Sequence, residues 1–240
     1  MSLKDAWEDE AANWIRWATT PGHDSYWRFH RDQFLELVPA PGALTVDIGC
    51  GEGRLPRHLK ALGHKVIAID GAPSLIEAAR KADPDGDYRH ADATALPLDD
   101  DCADLAVAFM SLHDIDDLTA AIAEVGRILR IDGLFCIAIV HPINSAGRFI
   151  DGSESSPFVI ADKYLGEFSY ADECSRDGLR VVFNSRHRPL DAYSRALEDG
   201  GFVIEAIREH PVPDHAIAPG NSAKWQRIPL FLHLRARKRH

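Results

Sequence analysis

The chain has 240 residues, 45% hydrophobic and 27% charged, a balance that fits a folded globular protein and excludes a disordered one. Twenty-seven basic against 37 acidic residues leave a net charge of −10, which weighs against a nucleic-acid ligand. No apolar run approaches the roughly 20 residues of a membrane span. The acidic start has no signal-peptide pattern, and Cys50, Cys102, Cys136 and Cys174 are too scattered for a disulfide framework or a zinc knuckle, so a cytoplasmic setting is expected.

Residues 1–40 are set apart by Trp7, Trp14, Trp17, Tyr26, Trp27, Phe29 and Phe34. The three tryptophans at spacings of seven and three share one helical face, a pattern of packing. From 43 to 140, short apolar runs alternate with helical patterns. Strands are predicted at Leu44–Ile48, Lys65–Ile69, Ala103–Phe109 and Leu134–Val140, with a short one before Asp92. Helices are predicted at Leu55–Leu62, Ser74–Ala82 and Leu118–Leu129. Ser74 is expected to cap its helix with Glu77 as reciprocal partner, and Arg130 to Gly133 to form a turn. Apolar strands bounded by helices predict a parallel sheet covered on both faces, a doubly wound α/β domain.

From 142 to 188 the alternation lapses into Gly, Ser, Asp and aromatics, with one strand-like run, "LRVVFNSR". It resumes in the helix "LDAYSRALED" and the strands "FVIEAIREH" and "RIPLFLHLRAR". Because pattern returns on both sides, residues 41–240 read as one domain with an insertion at 142–188, preceded by the helical aromatic segment 1–40. Arg235, Arg237, Lys238 and Arg239 are expected to be a solvated tail.

The stretch "LTVDIGCGEGRLPRHL" carries the first chemical signal. Glycines after a first strand let the chain turn tightly and a ligand approach the backbone. The dinucleotide fingerprint is G-x-G-x-x-G, but here Gly49, Gly51 and Gly53 follow G-x-G-x-G, and Arg54 holds the place of the last glycine. Asp47 would repel a pyrophosphate and suits an ammonium group. Asp70 ends the second strand, where a carboxylate can accept both hydroxyls of a ribose. Asp92 can accept from an exocyclic amine such as that of adenine. A ribose, an adenine-like base and a cation without phosphate describe S-adenosylmethionine.

The segments "DIGCGEG", "AIDGAPSLIEAAR", "ADATALPLDDDCADLAVAFMSLHDIDD" and "AIAEVGRILRIDGLFCIAI" resemble class I S-adenosylmethionine-dependent methyltransferases, in particular the small-molecule type 11-like domain. The resemblance covers residues 40–141 and continues more weakly at "RHRPLDAYSRALEDGGFVIEAIREHPVP". It implies a Rossmann-like, seven-stranded, mostly parallel sheet with an antiparallel last strand. It also implies that Asp47 and the backbone of Gly49, Cys50 and Gly51 hold the methionine end, and that Asp70 takes the ribose. By the same resemblance Gly71 and Leu75 lie near the adenine, Asp92 meets its amine, Ala93 meets the ring, and Phe109 borders the sulfonium. Gly71-Ala72 departs from the larger apolar residue common there.

Methyl transfer from a sulfonium is a direct displacement, and a base is needed mainly when the acceptor is protonated. His113 and His141 follow the fourth and fifth strands and are the candidate base or positioning groups for the acceptor. His187-Arg188 reads as a solvated surface pair. The insertion, with Phe149, Phe158, Tyr164, Phe168 and Tyr170, reads as a lid over a small organic acceptor. Tyr26 and Trp27 are expected over the methionine end, Trp27 making a cation–π contact with the sulfonium. No metal, membrane or nucleic-acid partner is expected. An NAD-dependent oxidoreductase would keep the glycine loop and Asp70 but should show the third glycine and no acid at Asp47. A non-catalytic S-adenosylmethionine-binding module would show the same pocket without turnover. An RNA or protein methyltransferase is opposed by the acidic charge and by "FMSL" where an "NPPY"-like tetrapeptide would stand.

Overall fold

The structure is a computed structural model that describes residues 2–160, 163–217 and 223–239. Helix α1, Leu3–Thr19, opens on a capping box in which Ser2 and Asp5 satisfy each other's backbone N–H groups. A π-helical turn, Tyr26–His30, runs into the short α2, Arg31–Leu35. The alternating core follows: β1 Thr45–Ile48, α3 Arg54–Ala61, β2 Val66–Asp70, α4 Pro73–Ala82, β3 Asp87–His90 and β4 Ala103–Phe109. It continues with α5 Leu118–Ile128 and β5 Leu129–Val140. The insertion holds α6 Pro142–Ala146, the β6 Gly147–Phe149 and β7 Phe158–Ile160 pair, and the hairpin of β8 Phe168–Arg176 with β9 Leu179–His187. Helix α7 Leu190–Asp199 and strands β10 Phe202–Arg208 and β11 Phe231–Lys238 close the chain.

The main sheet has seven strands in the order β10-β11-β5-β4-β1-β2-β3. Only β11 runs against the others, pairing antiparallel with both β5 and β10. This is the predicted Rossmann-like architecture. Alternation along β4 explains how both faces are covered: Ala106 and Ala108 pack with Ile122 and Val125 of α5 and Leu197 of α7. Leu105, Val107 and Phe109 point the other way, against Phe34 of α2 and Leu55 and Leu59 of α3. Strand order reverses between β1 and β4, so their carboxyl ends leave a crevice where such folds bind ligands.

Four local expectations change. Ser74 does not cap α4, which starts at Pro73 after an uncapped Ala72. Its N–H and hydroxyl instead go to the Glu8 carboxylate, fastening α1 to α4. Arg130 to Gly133 do not form a turn ahead of the strand; β5 already begins at Leu129. The extra residues are absorbed by a register shift against β4 and a left-handed Asp132, φ +63°. The basic C-terminus is not a solvated tail. Arg235 and Arg237 pair with Glu205, and Lys238 Nζ lies 2.9 Å from Asp101 and 2.6 Å from the Leu129 carbonyl. Nor is His187-Arg188 a surface pair: both are buried, 0% and 3% exposed. His187 is hydrogen-bonded between Ser145 and Tyr164, and Arg188 donates to the carbonyls of Leu112, Ile115 and Asp116. His187 thus ties the insertion together, and Arg188 joins it to the segment that follows β4.

Candidate functional site

The crevice opens into a cavity of about 980 Å³ walled by the glycine loop, the ends of β2 and β4, α1 and the insertion. Gly49 shows why the loop is glycine: φ is +73°, and a Cβ there would stand 2.3 Å from Cβ of Ser111. Behind this loop lies Asp47, 1% exposed, with no partner for either carboxylate oxygen. Burial, with Asp70 and Glu52 adding repulsion, raises its pKa well above the usual carboxylate range. A buried carboxylate without a partner is costly and asks for a cationic ligand.

Asp70 accepts from the N–H groups of Gly51 and Ala72, both at 2.8 Å, so it braces the loop as well as lining the cavity. Burial raises its pKa against the pull of these two bonds. Asp92 accepts from Thr94 N–H and hydroxyl and pairs with Lys4 of α1 at 3.2 Å; the Thr94 bonds and Lys4 hold its pKa down. Gly49, Cys50, Gly51, Gly71, Leu75, Ala93 and Phe109 line the same cavity. Eleven cofactor-binding residues were expected, and ten meet in one space.

Trp27 is the exception. It is 49% exposed, its indole N–H donates to the Ala18 carbonyl, and it is not on the cavity wall. Trp7 and Trp14 are there instead, packed edge-on to each other at 5.9 Å and to Phe183 of β9. The helical spacing of the tryptophans marked a face without saying that the cavity would lie under it. Arg54, in the place of the missing glycine, is buried between the rings of Trp14 and Tyr26 and pairs with Asp24 at 2.7 Å.

The two candidate histidines separate. His113 lines the cavity, its Nδ1 is without a partner, and burial, with Arg188 assisting, pushes its pKa down to about 3. His141 is absent from the cavity wall. Its Nδ1 accepts from Ile143 N–H to cap α6, and its Nε2 lies 2.7 Å from Glu209. Of the lid aromatics, Phe149 and Tyr170 reach the cavity and Phe158, Tyr164 and Phe168 do not. Sequence reasoning missed Asp114, buried beside Ser185 with its pKa pushed up to about 8 by burial, and missed His30, Trp225 and Phe231 on the wall.

Fold and cavity define a Rossmann-like domain whose cavity, at the carboxyl edge of the sheet, suits a nucleoside-bearing cation. The family profile described as "Methyltransferase domain" matches residues 46–137. A malonyl-[acyl-carrier protein] O-methyltransferase of Yersinia pestis is 33% identical over 116 residues, 46% of this chain and 43% of that protein. A protein of Mycolicibacterium smegmatis named as a probable S-adenosylmethionine-dependent methyltransferase is 28% identical over 205 residues, 82% of this chain and 77% of its own. The crystal structure of an S-adenosylmethionine-dependent methyltransferase from Mesorhizobium loti superposes with a TM-score of 0.72 at 29% identity, covering 90% of this chain and 98% of that one. The match to the Yersinia pestis relative thus spans less than half of that protein. Residues 46–137 thus form a methyltransferase domain, and the fold around them is that of S-adenosylmethionine-dependent methyltransferases, whose methyl donor is S-adenosylmethionine. That excludes the nicotinamide reading.

Proposed function

We propose that this protein transfers a methyl group from S-adenosylmethionine to a small organic acceptor held beside it in the same cavity. The observation that carries the proposal is Asp47, an unpartnered buried carboxylate behind a glycine loop, in the space that Asp70 and Asp92 also face. Bound there, S-adenosylmethionine supplies an electrophilic methyl carbon on a sulfonium whose departure leaves a neutral thioether.

The rest is work for the chain's own groups. Asp47 and the backbone of Gly49, Cys50 and Gly51 hold the amino-acid end; Asp70 accepts from the ribose; Asp92 and Ala93 meet the base. Phe109 borders the reacting region. Trp7 and Trp14 exclude water from above, which strengthens the electrostatics beneath them. The cavity continues past Phe109 to Asn144, Ser145, Phe149, Trp225 and Phe231, where apolar walls suit an organic acceptor. The names of relatives are consistent with one: a malonyl-[acyl-carrier protein] O-methyltransferase and, in Clavibacter sepedonicus, a demethylmenaquinone methyltransferase. The net charge of −10 disfavours RNA as acceptor. No helix among the described residues is long and apolar enough to cross a membrane, and we place the activity in the cytoplasm.

Equilibrium dialysis with labelled S-adenosylmethionine, followed by mass spectrometry of a metabolite mixture, tests the proposal. Saturable binding and one product heavier by a labelled methyl are expected. Binding without any product would leave a non-catalytic module, and absence of binding would end the proposal.

A further inference from the structure

We infer that His30 is the group that takes the proton from the methyl acceptor, that His233 positions it, and that the acceptor is an aromatic hydroxyl. The inference rests on the methyl-transfer reading above. His30 is the last residue of the π-helical turn Tyr26–His30, an irregularity that commonly marks functional sites. The turn sets the imidazole on the cavity wall at the end of β4, the ring of Phe109 lying 4.5 Å away. Phe231, at the start of β11, stacks on its face with centroids 3.6 Å apart and planes within 5°. Nε2 lies 2.9 Å from Nε2 of His233, also on β11. Stacking and hydrogen bond together fix the ring, and among the described residues no protein group engages Nδ1. That nitrogen is the one left for a ligand.

Two imidazoles meeting through Nε2 share one proton. We place that proton on Nε2 of His30, which donates to His233 and leaves a lone pair on Nδ1 of His30; the proton of His233 then sits on its own Nδ1, which is buried without a partner. The groups that weigh most on His30 oppose a charge on it: His233 and His210 from the β10–β11 side, Arg54 from α3 and His113 beyond β4. With burial they hold it well below the usual histidine range, so the ring rests neutral, with its lone pair free, across physiological pH.

In the step, the acceptor oxygen forms a bond to the methyl carbon as the methyl–sulfur bond breaks, its electron pair staying on sulfur. The hydroxyl proton passes to Nδ1 of His30. A cation is present before the step, on sulfur, and after it, on the imidazole, where the Nε2 proton shares it with His233. No new net charge is created in the buried site. A base has use only if the nucleophile arrives protonated, which points away from carboxylates and tertiary amines. Phe109, Phe149, Trp225 and Phe231 give the neighbouring wall flat apolar surfaces, which suit a ring.

The test uses the full-length protein and its His30→Gln, His233→Gln and His233→Phe variants. Dialysis with S-adenosylmethionine comes first, and failure of the parent to bind overturns the methyl-transfer reading itself. Catechol, 2-naphthol, benzylamine and benzoate are then supplied with labelled donor. Methyl ethers of the phenols alone are expected. His30→Gln should bind the donor as the parent does yet lose roughly 10²- to 10⁴-fold in kcat. The parent profile should be flat through neutral pH, whereas His30→Gln should gain about tenfold per pH unit as the phenol ionises unaided. His233→Gln, which can still accept from Nε2–H, should retain more activity than His233→Phe. Independently of turnover, ¹⁵N resonances of the unliganded protein should show His30 protonated at Nε2 and bare at Nδ1. A proton on Nδ1, phenols left unmethylated by a donor-binding parent, or a His30→Gln variant with the parent's rate and pH profile would each overturn the inference.

Discussion

The guanidinium of Arg54 meets the Asp24 carboxylate at 2.7 Å with both side chains buried, 8% and 11% exposed. Where dinucleotide-binding loops use glycine for close packing, this chain ties its glycine loop to the N-terminal segment through an ion pair stacked between Trp14 and Tyr26. Removing one partner strands the other as a buried charge. Arg54→Ala is expected to lower unfolding free energy by about 3–5 kcal/mol in urea titrations. Arg54→Ala with Asp24→Ala should recover part of that, and additive losses would show that the pair is not coupled.

Asp47 should show the opposite balance between stability and function. Its carboxylate is raised by burial, so the unliganded fold favours the protonated form and loses stability as pH rises above the ordinary carboxylate range. Asp47→Asn removes that penalty. We expect the unliganded variant to melt at or above the parent temperature at neutral pH while binding S-adenosylmethionine about 10- to 100-fold more weakly by calorimetry. Equal affinity would place the ammonium elsewhere.

Asp114 gives a second pH signature. Burial pushes it up to about 8, against the pull of Ser185, Trp7 and Arg188. An unfolded aspartate loses its proton near pH 4, so between about 4 and 8 the native state holds a proton that the unfolded state lacks. Stability from this group is therefore full at the acid end and falls as pH rises, by up to about 1.4 kcal/mol per unit. Asp114→Asn should flatten that slope in denaturation series run from pH 4 to 8, relative to the parent.

His141 caps α6 and does not face the cavity. His141→Ala should cost about 1 kcal/mol of stability, the usual loss of a helix cap, with donor affinity unchanged. A collapse of methyl transfer without loss of fold would return it to the site.

Gly49→Ala confronts the loop with a side chain at φ +73° and a Cβ 2.3 Å from that of Ser111. The left-handed backbone costs about 1–2 kcal/mol and the overlap roughly 1–3 kcal/mol more. Adding Ser111→Gly should relieve the overlap and leave the backbone strain, so the double variant should be more stable than Gly49→Ala in the same urea assay.

Much of the cavity lining was legible in the sequence because its residues come at strand ends in chain order. Asp47 and the glycines lie at and just after the end of β1, Asp70 ends β2 and Asp92 follows β3, and these three strands are parallel neighbours. Trp27 failed because a cation–π role needs a ring to reach the cavity, and here the π-helical turn leaves Trp27 half exposed while Tyr26 and His30 turn inward. Ser74 failed for a related reason: a helix start offers donors, and the Glu8 carboxylate, 66 positions away, reached them before a local cap did.

By itself the sequence determined the alternation of strands and helices and the placing of an acid, Asp47, just ahead of the glycine loop, since these follow from periodicity and from residues close in the chain. Tertiary structure alone decided which histidines line the cavity, His30 and His113 but not His141. His30 and His233 are 203 positions apart and carry no shared pattern, yet the crossing of the N-terminal turn over the antiparallel last strand sets their rings 2.9 Å apart at Nε2. The charge state of Asp47, Asp114 and His113 was decided there as well, because burial and neighbouring charge fix a pKa, and both exist only once the chain has closed over its cavity.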